Sequence, residues 1–166
     1  LDKSLTAEIE RQARIAAEAA RKARRGSASG TRYSVPGVGE IVSVYGIRVH
    51  QSIADNLRNL LDAAEADGIS LSGGGYRDSS SQIALRRAHC GSSDYDIWQK
   101  PSSQCRPPTA RPGASNHERG LAIDFTQNGS VLTRSSSGFR WLQSNAGRFG
   151  LKNLPSEPWH WSVDGN

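Results

Sequence analysis

Residues 51–68, QSIADNLRNLLDAAEADG, limit the possible folds more than any other stretch of the chain. Ile53, Leu57, Leu60, Leu61 and Ala64 recur at helical spacing and form one apolar face. Gly68 follows, where a left-handed residue commonly stops a helix. A helix with one apolar face must be covered, and the flanking segments supply strand material for it. Residues 39–50, GEIVSVYGIRVH, alternate, are rich in β-branched side chains and are interrupted by Gly46. Residues 69–78, ISLSGGGYRD, read as a strand that runs into a glycine-rich turn.

The rest of the chain continues in the same manner. SSSQIALRRAHCG (79–91) reads as a short helix capped by Ser79 or Ser80. Residues 90–113 are irregular. GLAIDFTQ (120–127) is a strand, with Leu121 and Ile123 on one face and Ala122 and Asp124 on the other. SGFRWLQSNAGRFG (137–150) is a helix stopped by Gly150, and EPWHWSVDG (157–165) is a short aromatic strand. This order predicts an α+β fold, a small, mainly antiparallel sheet flanked by helices. Hydrophobic residues make up only 36% of the chain, but four Trp, four Tyr and three Phe are enough to anchor one core.

Residues 1–25 are rich in Ala, Glu, Arg and Lys and lack Gly and Pro, so they predict an N-terminal helix. Its thin apolar stripe suits the end of a coiled-coil stalk with a partner helix, or else docking on the domain. Residues 26–38 open with GSASG and read as a linker, leaving 39–166 as the domain. The chain starts at Leu1 without a signal peptide and reads as a piece of a longer protein.

The formal net charge is +5, which favours polyanionic surroundings. The basic runs RKARR (21–25) and RR (86–87) read as solvated faces, and nothing points to nucleic acid. No apolar run approaches the roughly 20 residues of a membrane span. The two cysteines, Cys90 and Cys105, allow a single pairing. A disulfide there would staple the irregular excursion, contribute about 3 kcal/mol through loop closure, and imply an extracytoplasmic compartment.

The chemistry concentrates in ASNHERGLAIDF (114–125), where His117 precedes a strand that carries Asp124. Seven extended residues span roughly 23 Å, so the two can share a metal only if the chain bends at Glu118, Arg119 and Gly120. A catalytic zinc site uses three protein ligands and one open position, so a third ligand must come from elsewhere. EPWHW supplies His160 with Glu157 three residues before it, a carboxylate of the kind that serves as general base beside a metal. Trp159 and Trp161 read as pocket wall and core, and His50 and His89 as structural or surface residues.

SNHERGLAIDF, EPWHW and GGGYRDSSSQ (73–82) together resemble the signature blocks of the VanY-type D-alanyl-D-alanine carboxypeptidases. That zinc peptidase group includes the D-Ala-D-Ala dipeptidases and the Hedgehog-like fold. The resemblance covers roughly residues 40–163. It implies zinc held by His117, Asp124 and His160, with Glu157 moving the proton between attacking water and leaving amine. It further implies Arg77 on the substrate or oxyanion, Gln82 assisting by hydrogen bonding, and Ser115, Tyr76 and Trp159 at the substrate. The expected substrate is a peptidoglycan stem peptide losing its C-terminal D-alanine. The same site also suits an L,D-carboxypeptidase or a stem-peptide endopeptidase. The contrasting possibility is a non-catalytic, zinc-stabilised wall-binding module.

Overall fold

The computed structural model describes residues 31–166; the expected N-terminal helix over 1–25 and its coiled coil lie outside the described residues. Strands β1 (Arg32–Val35), β2 (Gly39–Val44) and β3 (Ile47–His50) form an antiparallel sheet in that order. Residues 26–38, read as a linker, therefore already contain a strand from Arg32. Tyr33 pairs with Ile41, so β1 becomes part of the sheet by covering the edge of β2. The break at Gly46 is a tight hairpin: Tyr45 and Gly46 both have positive φ, as a two-residue turn between twisted strands requires.

Helix α1 (Gln51–Ala66) follows without a loop. His50 caps it, its Nδ1 accepting the Ser52 amide, which gives this histidine the structural role expected of it. The predicted stripe of Ile53, Leu57, Leu60, Leu61 and Ala64 is buried, together with Ala54. It shares one core with Val42, Val44, Ile47 and Val49 of the first sheet and with Ile123, Phe125 and Trp161 of the second.

The second sheet runs β4 (Leu71–Gly74), β5 (Ala122–Gln127), β8 (Glu157–Ser162), β7 (Lys152–Leu154), with β6 (Ser130–Val131) paired to β5. All of its pairings are antiparallel, as the sequence led us to expect. Helix α4 (Ser137–Asn145) adds Phe139 and Leu142 to the core.

Helix α2 (Ser79–Cys90) is capped one residue before the predicted Ser79 or Ser80. Asp78 is the N-cap, its carboxylate accepting the Ser81 amide at 2.7 Å and the Ser80 hydroxyl at 2.7 Å. The buried positions of α2 are Gln82, Arg86 and Cys90, one helical face that carries two polar side chains and a disulfide sulfur. Cys90 bonds to Cys105, closing the excursion that holds helix α3 (Asp94–Trp98).

Arg86 lies at the centre of that excursion and is fully buried, whereas the sequence placed it with Arg87 on a solvated basic face. Its Nε donates to Ile97 O at 3.0 Å and its Nη1 to Thr109 O at 2.7 Å. Nη2 donates to Asp96 O and Lys100 O, and Nη1 also meets Cys105 Sγ at 3.2 Å. A segment with little apolar content is thus ordered around one guanidinium and one disulfide. Among the described residues, no helix is long and apolar enough to cross a membrane.

Candidate metal centre and active site

The bend needed between His117 and Asp124 is a 3-10 turn over Asn116–Arg119, followed by Gly120 at φ 68°. Gly120 fits for two reasons. Its backbone is left-handed, and a Cβ there would lie 2.6 Å from the His50 amide nitrogen. Ser115 starts the turn, its Oγ accepting the His117 amide at 3.2 Å.

Strand register delivers the other ligands. Asp124 and His160 are direct cross-strand partners on β5 and β8, and Gly74 faces Asp124 from β4 without a side chain. In a regular strand Glu157 and His160 would point to opposite faces. The β7–β8 ladder shifts register between Asn153, paired with Trp161, and Leu154, paired with Glu157. The extra residues on β8 turn both side chains toward the same cleft, the usual use of a bulge beside a site.

His117, Asp124 and His160 each offer a ligand atom, all within 4.8 Å of one another. His117 Nε2 and His160 Nδ1 lie 3.1 and 2.9 Å from Asp124 Oδ1, and 3.2 Å from each other. The outer nitrogens define the donor set. His117 Nδ1 is 2.7 Å from Gly75 O, and His160 Nε2 is 3.0 Å from Asn166 O. A carbonyl only accepts, so those nitrogens carry the protons, leaving His117 Nε2 and His160 Nδ1 to face the centre. Two imidazoles, one carboxylate and outer hydrogen bonds to backbone carbonyls make a donor set that fits zinc.

The electrostatics agree with a convergent cluster. Burial raises the Asp124 carboxyl, but wherever the inner nitrogens of His117 and His160 also carry a proton, their hydrogen bonds and charge outweigh it and hold the group far below the usual carboxylate range. Burial lowers His160, yet its bonds to Asp124 and to the Asn166 carbonyl raise it overall. Burial pushes Glu157 up, with the charge of His160 opposing part of the rise. A rise in that direction makes the carboxylate a stronger proton acceptor than an exposed glutamate.

Arg77 reaches the cleft through a backbone bond from its amide to His117 O at 3.1 Å. It does not pair with Asp78. Its Nη1 donates to Gln82 Oε1 at 2.9 Å, and its Nη2 lies 3.7 Å from Asp124 Oδ2. Gln82 in turn donates from Nε2 to Ala110 O at 2.8 Å. Gln82 is thus both a first-turn helix residue and the orienter of Arg77, with its amide fixed by the stapled excursion.

These residues line a cleft of about 750 Å3, within the size range of pockets for small substrates. Arg77, Gln82, Ser115, Glu157 and Trp159 are all on its wall with the three ligands. Tyr76 is not among the lining residues. Its ring packs edge-on to Tyr33, with Arg48 5.9 Å from its centroid. His89 bonds to Thr109 Oγ1 at 2.8 Å and also lines the cleft, so it is more than surface. Asn116, Arg119, Asp164 and Asn166, none of which stood out in the sequence, border the cleft as well. Asn116 and Arg119 lie inside the SNHERG block and were within reach of sequence reasoning.

A family model described as D-alanyl-D-alanine carboxypeptidase (VanY) matches residues 46–166. The D-alanyl-D-alanine carboxypeptidase of Enterococcus faecalis is 29% identical over 136 residues, covering 72% of this chain and 50% of that protein. The chain therefore spans half the length of that relative. VanYB in complex with D-alanine-D-alanine superimposes with a TM-score of 0.55 at 25% identity, covering 81% of this chain and 79% of that one. The vancomycin-resistance D,D-pentapeptidase VanY from the VanB-type cassette, in complex with Zn(II), gives 0.53 at 24% identity, covering 84% and 83%.

Proposed function

The chain belongs to the D-alanyl-D-alanine carboxypeptidase (VanY) family, and on that premise we propose that it is a zinc-dependent peptidase that removes the C-terminal D-alanine of peptidoglycan stem peptides. The observation that carries this reading is the convergence of His117, Asp124 and His160 in one cleft with Glu157 and Arg77. It is supported by relatives crystallised with D-alanine-D-alanine and with Zn(II).

His117 Nε2, one Asp124 oxygen and His160 Nδ1 would hold the ion. When bound, zinc supplies Lewis-acid polarisation and a water acidified towards neutral pH. The remaining work falls to this chain. Glu157 takes the proton of the attacking water on its carboxylate, and the water oxygen bonds to the scissile carbonyl carbon. The same carboxyl then gives the proton to the leaving nitrogen as the C–N bond breaks, so free D-alanine departs as the amine. Arg77 presents its guanidinium to the negative charge that develops on the carbonyl oxygen. Gln82 holds that guanidinium in place through Oε1, which limits its motion during the step. Ser115 keeps its hydroxyl proton free to donate to substrate, since the His117 amide occupies one of its lone pairs. Trp159 is a half-buried apolar wall of the cleft. The Cys90–Cys105 bond supports an extracytoplasmic setting, where a cell-wall substrate is met.

Defined muropeptides incubated with zinc-loaded protein and read by mass spectrometry test the reading. The expected product is loss of one alanine from pentapeptide, abolished by chelator. In Glu157→Gln turnover falls roughly 10²–10⁴-fold with zinc content unchanged. Cleavage only of tetrapeptide, or inside the stem, moves the assignment to an L,D-carboxypeptidase or an endopeptidase. Stoichiometric zinc without any cleavage refutes catalysis and favours the wall-binding module.

A further inference from the structure

We propose that Asn116 is a positioning residue for the metal centre: it clamps residues 164–166 beneath the second histidine ligand and thereby fixes the ring of His160. The inference rests on the reading that His117, Asp124 and His160 hold zinc.

Asn116 is 6% exposed, and both its amide nitrogen and its amide oxygen are engaged. Its Nδ2 donates to Asp164 Oδ1 at 2.7 Å and to Asn166 O at 2.8 Å. Its Oδ1 accepts from Arg119 Nη2 at 2.7 Å. The segment it holds is a small turn closed on itself. Ser162 Oγ accepts the amides of Gly165 and Asn166 at 2.9 and 3.0 Å. Asp164 Oδ1 accepts the Ser162 hydroxyl and the Asn166 amide. What this turn presents inward is the Asn166 carbonyl, 3.0 Å from His160 Nε2.

That carbonyl has a specific consequence. The ring torsion of a histidine is broad and close to two-fold, so strand pairing of the His160 backbone does not orient its imidazole. Asp124 and His117 meet the ring on its inner nitrogen, the atom that a metal would claim. The outer nitrogen bonds to Asn166 O. A ligand histidine held on its outer nitrogen keeps its lone pair aimed at the ion. Asn116 adjoins the other ligand, His117, so one buried amide couples the loop bearing the first histidine to the support of the second. The family resemblance assigned no role to Asn116, Ser162 or Asp164.

The experiment compares Asn116→Ala and Asp164→Ala with the unaltered chain. Zinc affinity is measured by competition with a chromophoric chelator, and the zinc-loaded proteins are examined by 1H–15N spectra of the histidine rings. The expected result is roughly 10–100-fold weaker zinc binding and loss of the His160 Nε2–H signal to solvent exchange. The His117 Nδ1–H signal, held by Gly75 O, is retained as an internal control. A purely structural role for Asn116 would lower thermal stability but leave both ring signals and zinc affinity in place. Affinity within twofold of the unaltered chain, with the His160 signal kept, overturns the proposal. If Asn116→Ala does not fold, Asp164→Ala decides by the same two readouts. An unaltered chain that takes up no zinc overturns the metal reading and this role with it, so the two failures are distinguishable.

Discussion

Replacing Arg86 by methionine tests how the excursion beside the cleft is held. The substitution roughly conserves an unbranched, apolar stem and removes the guanidinium. Four backbone carbonyls then lose their donor: Ile97 O, Thr109 O, Asp96 O and Lys100 O. Each buried carbonyl left unsatisfied costs about 1–3 kcal/mol. The bonds to Asp96 O and Lys100 O are only partly buried, so water replaces the donor there at small cost. Those to Ile97 O and Thr109 O are buried, and they set the magnitude at about 2–6 kcal/mol. The middle of that range is about 4 kcal/mol. For a domain of this size that is roughly 8–16 °C in Tm. Arg86→Lys retains the charge, but one ammonium cannot meet carbonyls spread around all three guanidinium nitrogens, so it recovers only part of the loss. Differential scanning calorimetry with the disulfide intact provides the measurement. A loss below about 1 kcal/mol for Arg86→Met would mean that water satisfies all four carbonyls, and the guanidinium would not be what orders the segment.

Replacing both Cys90 and Cys105 by serine removes a 15-residue closure and lowers stability by about 3 kcal/mol, checked by the same calorimetry. Combined with Arg86→Met the losses are expected to be non-additive, because Arg86 Nη1 touches Cys105 Sγ; strict additivity would refute a shared scaffold. Asp78→Ala removes the cap of α2 and costs about 1 kcal/mol at neutral pH. The amide of Ser81 and the hydroxyl of Ser80 hold the Asp78 carboxyl below its ordinary value. Its contribution is therefore complete above the unfolded carboxylate pKa, about 4, and is lost as pH falls through the lower folded value. The stability gap between Asp78→Ala and the unaltered chain should close on acidification, while Asp78→Asn should lack that pH dependence; a gap independent of pH would refute the charged cap.

The features legible in sequence are those where chemistry restricts residue type. His117, Asp124, His160 and Glu157 could be named as candidates before any geometry, because they stand in the blocks that resemble the family's signatures, and all four line one cleft. Helix α1 was legible because its buried face is apolar and periodic. Helix α2 shows why the remainder was not. Its buried face is Gln82, Arg86 and Cys90, which hydropathy reads as a solvated stripe, and only the carbonyls gathered from residues 96–109 turn an arginine into an interior residue. Strand β1 was missed for a related reason. Its burial alternates between exposed and partly buried, so pairing with β2 creates it rather than any pattern of its own. Asp78 was passed over as a cap in favour of the serines after it because aspartate and serine both cap well. The convergence of Glu157 and His160 is the limiting case. Their spacing of three places them on opposite faces of a regular strand, and only the register shift opposite Asn153 and Leu154 reconciles them. The candidate site residues were readable in the sequence, whereas the residues packed around them, Arg86, Asn116 and the β8 bulge, arise from tertiary placement. Substitutions at those positions should therefore separate metal affinity from stability, with Asn116 acting on the first and Arg86 on the second.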